Sequence, residues 1–204
     1  YSPIAYMLNI GCKRIRPILF LVAHQLYNPN FKNSLKAALA IEVFHNFTLI
    51  HDDIMDKAPL RRGVITVHEK WDKNTAILSG DVMLVESYKL LMSVDDNNIR
   101  SILQVFNKAA TEVCEGQQMD MNFENRNDVS IEEYLKMIEY KTSVLLASSL
   151  KIGAINGGAS KKQANLLYDF GKNMGIAFQL QDDLLDAFGD PYKFGKRVGG
   201  DIIA

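Results

Sequence analysis

The sequence predicts an all-α fold, a large helical bundle, on three observations. Apolar residues recur at helical spacing almost throughout. No segment carries the two-residue alternation of a half-buried strand. Several helical segments exceed the usual length of roughly 11–12 residues and are apolar on more than one face. Helices of that kind stand in the middle of a bundle, buried on most sides.

The elements follow in order. Pro17 suits the first turn of a helix running through Leu19, Val22, Ala23 and Leu26, and Asn28-Pro29-Asn30 ends it. Ser34 is placed to cap a long helix rich in alanine, with Ile41, Val43, Phe44, Phe47 and Ile50 on it. Pro59 and Gly63 bracket a loop. Further helices are expected over about 74–92, 98–122, 131–156 and 161–188, the last two behind the caps Ser130 and Ser160. Interior glycines (Gly80, Gly116, Gly153, Gly171, Gly175) each cost about 1 kcal/mol relative to alanine, and close helix approach would explain them. From Gly189 to Asp201 the chain turns glycine-rich and basic, a composition suited to a lid.

With 204 residues, 48% of them apolar, one sizeable core is within reach. A single domain over 1–204 is expected, with more helices after it and a short segment before it, since the chain opens on Tyr1 and stops soon after Gly200. The net charge of −1 argues against a general nucleic-acid or anionic-membrane binder. Two scattered cysteines, Cys12 and Cys114, suit neither a disulfide framework nor a zinc site, so a reducing, cytoplasmic setting is expected. No apolar run approaches the roughly 18 residues of a spanning helix.

The chemistry lies in a pattern that occurs twice, at Asp52-Asp53-Ile54-Met55-Asp56 and Asp182-Asp183-Leu184-Leu185-Asp186. Residues four apart share a helix face, so Asp52 aligns with Asp56 and Asp182 with Asp186. Like charges so placed repel, the more so when buried. An acidic set alone is commonly a solvated face; Asp95-Asp96, in a loop composition, needs no other account. Repetition within apolar flanks does, and hard oxygen donors offered in ones and twos are what Mg²⁺ prefers. Two facing sets would clamp a diphosphate between metal ions.

Basic residues complete the reading. Lys13 and Arg16 are three apart and precede or open the first helix. Arg61 and Arg62 follow Asp56 within reach of phosphates held there. Lys141-Thr142 interrupts a strongly apolar helix, where a lysine is expensive unless it meets an anion. Lys196 falls in the expected lid. Arginine forks suit bidentate phosphate contacts and lysine acts as a point charge. His51-Asp52 alone would also match a metal-dependent phosphohydrolase, but His24 and His68 lack the further ligand spacing.

Taken together these residues resemble the trans-isoprenyl diphosphate synthases, the family of farnesyl, geranylgeranyl and polyprenyl diphosphate synthases. Gly11 to Pro17 is similar to that family's Gly-Gly-Lys-Arg-x-Arg-Pro, with Cys12 in place of a glycine. Leu49 to Asp56 followed by Arg61-Arg62-Gly63 resembles the first aspartate-rich motif. Ser79-Gly80-Asp81 resembles a helix start, and Lys141-Thr142, Phe178 to Asp186 and Gly195 to Asp201 continue the order.

The resemblance implies an all-α isoprenoid-synthase bundle around a central cavity, a homodimer and a Mg²⁺ cluster. It implies that Asp52, Asp53, Asp56, Asp182, Asp183 and Asp186 bind metal. Arg61, Lys141, Thr142, Gln179 and Lys196 would meet the allylic diphosphate (dimethylallyl, geranyl or farnesyl). Lys13, Arg16, His45 and Arg62 would hold isopentenyl diphosphate, and Gln117 and Asp120 would line the cavity. Longer-chain members tend to carry a small residue where Phe47 sits, so Phe44 and Phe47 would limit the product to C15–C20; both also suit an ordinary core. A class I terpene cyclase and a non-catalytic subunit of a heteromeric synthase are the rivals. The first generally lacks the second aspartate set, and the second would be expected to lose one.

Overall fold

In the computed structural model, which describes residues 1–188, the chain is a helical bundle. Helix α1 (Ser2–Asn9) and α2 (Ile15–Gln25) lead into α3 (Leu35–Met55), which ends in the first aspartate set. A short hairpin, β1 (Leu60–Arg61) with β2 (Val64–Ile65), pairs Leu60 with Ile65 and Arg61 with Val64. One turn, α4 (Val67–Lys70), then precedes α5 (Lys73–Leu91) and α6 (Asp96–Phe123). Helix α7 (Ile131–Ile138), a π-helical segment (Glu139–Ser143), α8 (Val144–Gly157) and α9 (Lys161–Phe188) follow.

The expected helices stand within one or two residues of the sequence reading, with four corrections. Helix α1 carries only eight residues, too short a pattern to stand out. The loop between Pro59 and Gly63 holds a hairpin where no strand was expected. Ser79-Gly80-Asp81 lies in the interior of α5, not at a helix start. The span 131–156 is not one helix, because the π turn breaks it. Lys196 and the expected lid from Gly189 to Asp201 lie outside the described residues.

Local chemistry accounts for the ends. Ser130 and Glu133 form a reciprocal capping box that starts α7, and Ser160 with Gln163 does the same for α9, satisfying otherwise orphaned amides. Asp95, from the acidic pair set aside earlier, caps α6 by accepting from Asn97. Ser34 precedes α3 without capping it; its hydroxyl accepts from Asn156 at 2.8 Å instead.

Helix α3 is the central element, packed chiefly on α5 and also on α2, while α8 packs on α2, α9 and α6. Fully buried Ala37, Ala40 and Ile41 let neighbouring helices approach α3. Phe20, Phe44, Met83, Ile102, Phe106 and Ile152 fill the space between. Nearly every side chain from Val144 to Leu150 is buried, the all-round burial that the sequence anticipated for a central helix.

Glycines set the position of the π turn. A Cβ on Gly116 of α6 would stand 2.3 Å from the amide nitrogen of Lys141, and one on Gly175 of α9 would stand 2.7 Å from Cα of Ser143. The π segment is therefore clasped between α6 and α9 at backbone contact. Replacing Gly116 by Ala is expected to lower stability by about 1–3 kcal/mol through overpacking, read as a lower denaturant midpoint at unchanged slope.

Candidate active site

The first aspartate set closes the C-terminal turn of α3, where the Asp56 amide donates to the Asp52 carbonyl at 2.9 Å. Asp52 and Asp56 thus stay one turn apart. Asp53 points elsewhere and is 1% exposed. Arg61 Nε donates to both of its oxygens, at 2.8 and 3.0 Å, and Arg61 Nη2 lies 2.7 Å from Oδ1. The hairpin makes this possible, because the Thr66 hydroxyl donates to the Ala58 carbonyl at 2.8 Å and folds the chain back.

Asp52 is mostly enclosed, and its pKa is pushed up to about 7. Desolvation by burial is the largest cause; Lys141 and Arg61 oppose it, while Asp56 and Asp53 add to it. Asp56 is also raised, again first by burial, with Asp120 and Glu124 adding to it against the pull of Lys141.

Helix α6 and the π turn supply the facing wall. Gln117 Nε2 donates to Asp56 Oδ1 at 3.3 Å, and Lys141 forms an ion pair with Asp120. Burial works to lower the pKa of Lys141, but the charge and hydrogen bond of Asp120, joined by Asp52 and Asp56, raise it overall. The lysine that looked expensive in an apolar helix has its anion. Thr142, the next residue, faces the other way: its hydroxyl donates to Gln179 Oε1 at 2.9 Å, and Gln179 Nε2 donates to Asp183 Oδ1 at 2.8 Å. Asp183 also accepts from the Tyr134 hydroxyl. The π turn therefore stands near the first acidic set through Lys141, which pairs with Asp120 and feels Asp52 and Asp56 by charge, and is linked to the second through Thr142 by way of Gln179. Asp186 is buried and Asp182 half-buried on the same helix.

Two helical turns before Asp52, α3 enters the opposite electrostatic environment. Arg16 Nη1 lies 3.0 Å from His45 Nε2; a guanidinium can only donate, so that nitrogen accepts. The pKa of His45 is well below its ordinary value, first through burial and then through Arg16, Arg62, Arg61 and Arg14. Arg16 itself is lowered to about 10, by desolvation before the charges of Glu42 (which opposes) and Arg62. Arg14 and Arg62 both have left-handed backbone, φ 51° and 54°, a conformation costing a non-glycine residue roughly 1–2 kcal/mol. Arg62 Nη1 donates to the Gly11 carbonyl at 3.1 Å. Arg14 Nη1 donates to the buried Glu42 at 2.7 Å, and Cys12 Sγ donates to the same oxygen at 3.4 Å. Arg16 Nε is buried with no partner among the described residues. An anion would satisfy that donor. Lys13 is exposed beside this nest.

Phe47, 8% exposed, and Phe44, 1% exposed, line the same helix below Asp52. Their rings lie 5.5 Å apart, Phe44 meets Phe106 edge-on at 5.1 Å, and Phe47 meets His51 at 4.8 Å. His51 Nε2 donates to the Ile77 carbonyl at 3.2 Å, so it serves the α3–α5 contact.

The donor chemistry fits a divalent cation. Among the described residues, Asp52, Asp53, Asp56 and Asp120 stand against Arg61 and Lys141 alone, and burial holds the excess charge at a cost. Among the described residues no three carboxylate, imidazole or thiol groups are gathered closely enough to form a metal site by themselves. Magnesium is commonly held by one or two carboxylates together with substrate phosphates, not by an all-protein cage.

Sequence reasoning missed Glu42, Asn46 and Tyr134. Glu42 was visible as an acid inside Ala40-Ile41-Glu42-Val43-Phe44, with Asn46 four residues on; Asn46 Nδ2 donates back to it at 3.2 Å. Tyr134 carried no such signal, since its role depends on where α7 meets α9.

The sequence profile of the polyprenyl synthetase family matches residues 1–204. The geranylgeranyl diphosphate synthase of Methanosarcina mazei is 43% identical over 205 residues, covering 100% of this chain and 63% of that protein. A crystal structure of a geranylgeranyl pyrophosphate synthase superposes with TM-score 0.95 at 55% identity, over 99% of this chain and 62% of that one. A geranyltransferase from Helicobacter pylori, complexed with magnesium and isoprenyl diphosphate, gives TM-score 0.87 at 32% identity over 98% and 70% of the two chains. The chain spans a little over three-fifths of the length of the curated relatives it matches.

A pH dependence follows from Asp52. Its folded pKa lies above its unfolded value, so its contribution to stability is fully present below about pH 4 and is lost as pH rises through about 7. With divalent ions chelated, the stability advantage of Asp52→Asn over the unsubstituted protein is expected to grow between those limits. Chemical denaturation across that range measures it.

Proposed function

The chain belongs to the polyprenyl synthetase family, and from that premise we propose that it is a trans-prenyltransferase. It condenses isopentenyl diphosphate with an allylic diphosphate, dimethylallyl, geranyl or farnesyl, to give a short trans-prenyl diphosphate of C15–C20. The observation that carries the proposal is the pair of opposed charge environments on one helix. Asp52 and Asp56 demand a cation, while His45, seven residues or about 10 Å earlier along α3, demands an anion together with Arg16, which reaches it from α2. A diphosphate bridged to metal suits the first and a bare diphosphate suits the second.

Asp52, Asp53, Asp56, Asp182, Asp183 and Asp186 would hold Mg²⁺, which when bound supplies the positive charge that makes pyrophosphate a competent leaving group. Arg61, Lys141, Thr142 and Gln179 orient the allylic diphosphate and take up charge as its C–O bond breaks. Arg16, His45, Arg62 and Lys13 grip isopentenyl diphosphate. With His45 neutral and its Nε2 accepting from Arg16, Nδ1 carries the ring proton as a donor, and the positive charge of the grip rests on the arginines. The double bond attacks the allylic carbon, and a proton leaves to restore a trans double bond, the departing pyrophosphate being the nearest base. The apolar floor of Phe47 and Phe44 keeps water from the cationic carbon. The homodimer expected from the resemblance and the cytoplasmic setting expected from the two scattered cysteines belong to the same proposal. No helix among the described residues is long and apolar enough to cross a membrane.

A class I terpene cyclase has no use for the second, metal-free anion site, and a non-catalytic subunit would have no reason to keep both acidic sets. In the full-length protein, Asp52→Ala and Asp182→Ala should each lower condensation of labelled isopentenyl diphosphate by orders of magnitude; near-normal turnover would reject the assignment. Phe47→Ala should lengthen the products, as sized by chromatography, and an unchanged spectrum would make Phe47 a core residue only.

A further inference from the structure

Tyr134 belongs to neither acidic set and to neither of the two basic groups, yet its hydroxyl donates to Asp183. We propose that Tyr134 is a positioning residue for the metal–diphosphate end of the site, acting through Asp183, Gln179 and Thr142. The inference rests on the prenyltransferase reading and adds to it a residue outside the aspartate and basic motifs.

The argument begins with where Tyr134 is anchored. Helix α7 starts at a complete capping box between Ser130 and Glu133. Arg126 clamps that box from outside, donating through Nη1 to Glu133 Oε1 at 2.8 Å and through Nε to Asp128 at 2.9 Å. Tyr134 is the next residue, and its amide donates to the Ser130 carbonyl at 3.0 Å. Its backbone therefore sits in the most tightly determined turn of α7, and the side chain reaches across to α9.

At Asp183 the two oxygens have separate duties. Oδ2 accepts from Tyr134 and Oδ1 from Gln179 Nε2. That second contact fixes which way the Gln179 amide faces, because a carboxylate can only accept. Gln179 Oε1 is then turned to Thr142, whose hydroxyl hydrogen it accepts at 2.9 Å. One phenol thereby sets a carboxylate and an amide on α9 and a hydroxyl on the π turn. A carboxylate has about four lone-pair positions, so Asp183 keeps capacity for a cation while held. Partners that orient a metal-binding carboxylate in this way typically matter 10–100-fold to metal affinity or activity. The isopentenyl diphosphate nest on α2 and α3 shares none of these contacts.

The test is Tyr134→Phe in the full-length protein, which removes one hydroxyl and keeps the ring. Two quantities are read: the affinity for inorganic pyrophosphate at fixed Mg²⁺ by calorimetry, and the separate KM values for the two substrates. Pyrophosphate affinity is expected to fall about tenfold and the allylic KM to rise by a similar factor, with the isopentenyl diphosphate KM unchanged. Asp183→Asn, which removes the carboxylate itself, should lose more than Tyr134→Phe, and the double variant should lose no more than Asp183→Asn alone, because the phenol acts only through that carboxylate. Unchanged pyrophosphate affinity, both KM values moving together, or a lowered melting temperature alone would overturn the positioning role. If the unsubstituted protein binds no pyrophosphate with Mg²⁺, the prenyltransferase reading and this inference fall together; if it binds and only Tyr134→Phe is silent, the inference falls by itself.

Discussion

Acidic side chains held away from water on the last turn of α3 are the constraint on which the other features of this molecule depend. Asp52 is largely enclosed and Asp56, one turn on, stands more open to solvent; burial first, and then the nearby Asp56 and Asp53, raise the cost of ionising Asp52. Among the described residues nothing fully offsets this. Arg61 is committed to Asp53, and Lys141 is committed to Asp120. On the proposed reading, that surplus of negative charge is what a divalent cation accompanied by phosphate would offset. The backbone around it is arranged to keep that surplus in place and not to relieve it.

The π turn is the means. Within it, consecutive side chains serve two acidic groups: Lys141 pairs with Asp120, beside Asp52 and Asp56, and Thr142 is linked to Asp183 through Gln179. Gly116 and Gly175 let the segment lie at backbone contact between α6 and α9. Segments of this type recur at functional sites because the altered hydrogen-bond register displays side chains that a regular helix would hide. Here the register is visible in the Val144 amide, which donates to the Glu139 carbonyl. A second constraint runs in parallel at the other end of α3. There Glu42 holds Arg14, and burial first, with Arg16, Arg62, Arg61 and Arg14 adding to it, holds the His45 pKa down, so a compact cationic nest gathers around the middle of the helix whose end carries the acidic set.

Much of this was legible in the sequence, and the reason is that periodicity and charge pattern act locally. The helices α2, α3, α5, α6 and α9 could be placed to within a residue or two from apolar spacing and caps such as Ser130 and Ser160. Asp52 and Asp56 could be put on one face by counting four residues. Lys141 could be flagged as needing an anion. What could not be read was which anion it meets, because Asp120 reaches it only through the packing of α6 on the π turn. The π turn itself has no sequence period of its own. Ser34 looked like a cap and instead serves a tertiary contact to Asn156, a case of packing overriding local propensity. Asp53 shares a motif with Asp52 but points to Arg61, a distinction that depends on the hairpin folding back.

The central claim is that two acidic sets, remote in sequence, act as one site for a cation and a diphosphate. The most direct measurement is a double-variant cycle on Mg²⁺-dependent pyrophosphate binding, using Asp56→Asn, Asp186→Asn and their combination in the full-length protein. A shared site predicts that each single change removes most of the affinity and that the combination removes little more. Losses that simply multiply, or a single change that leaves affinity intact, would mean that the two sets serve separate ends and would contradict the account.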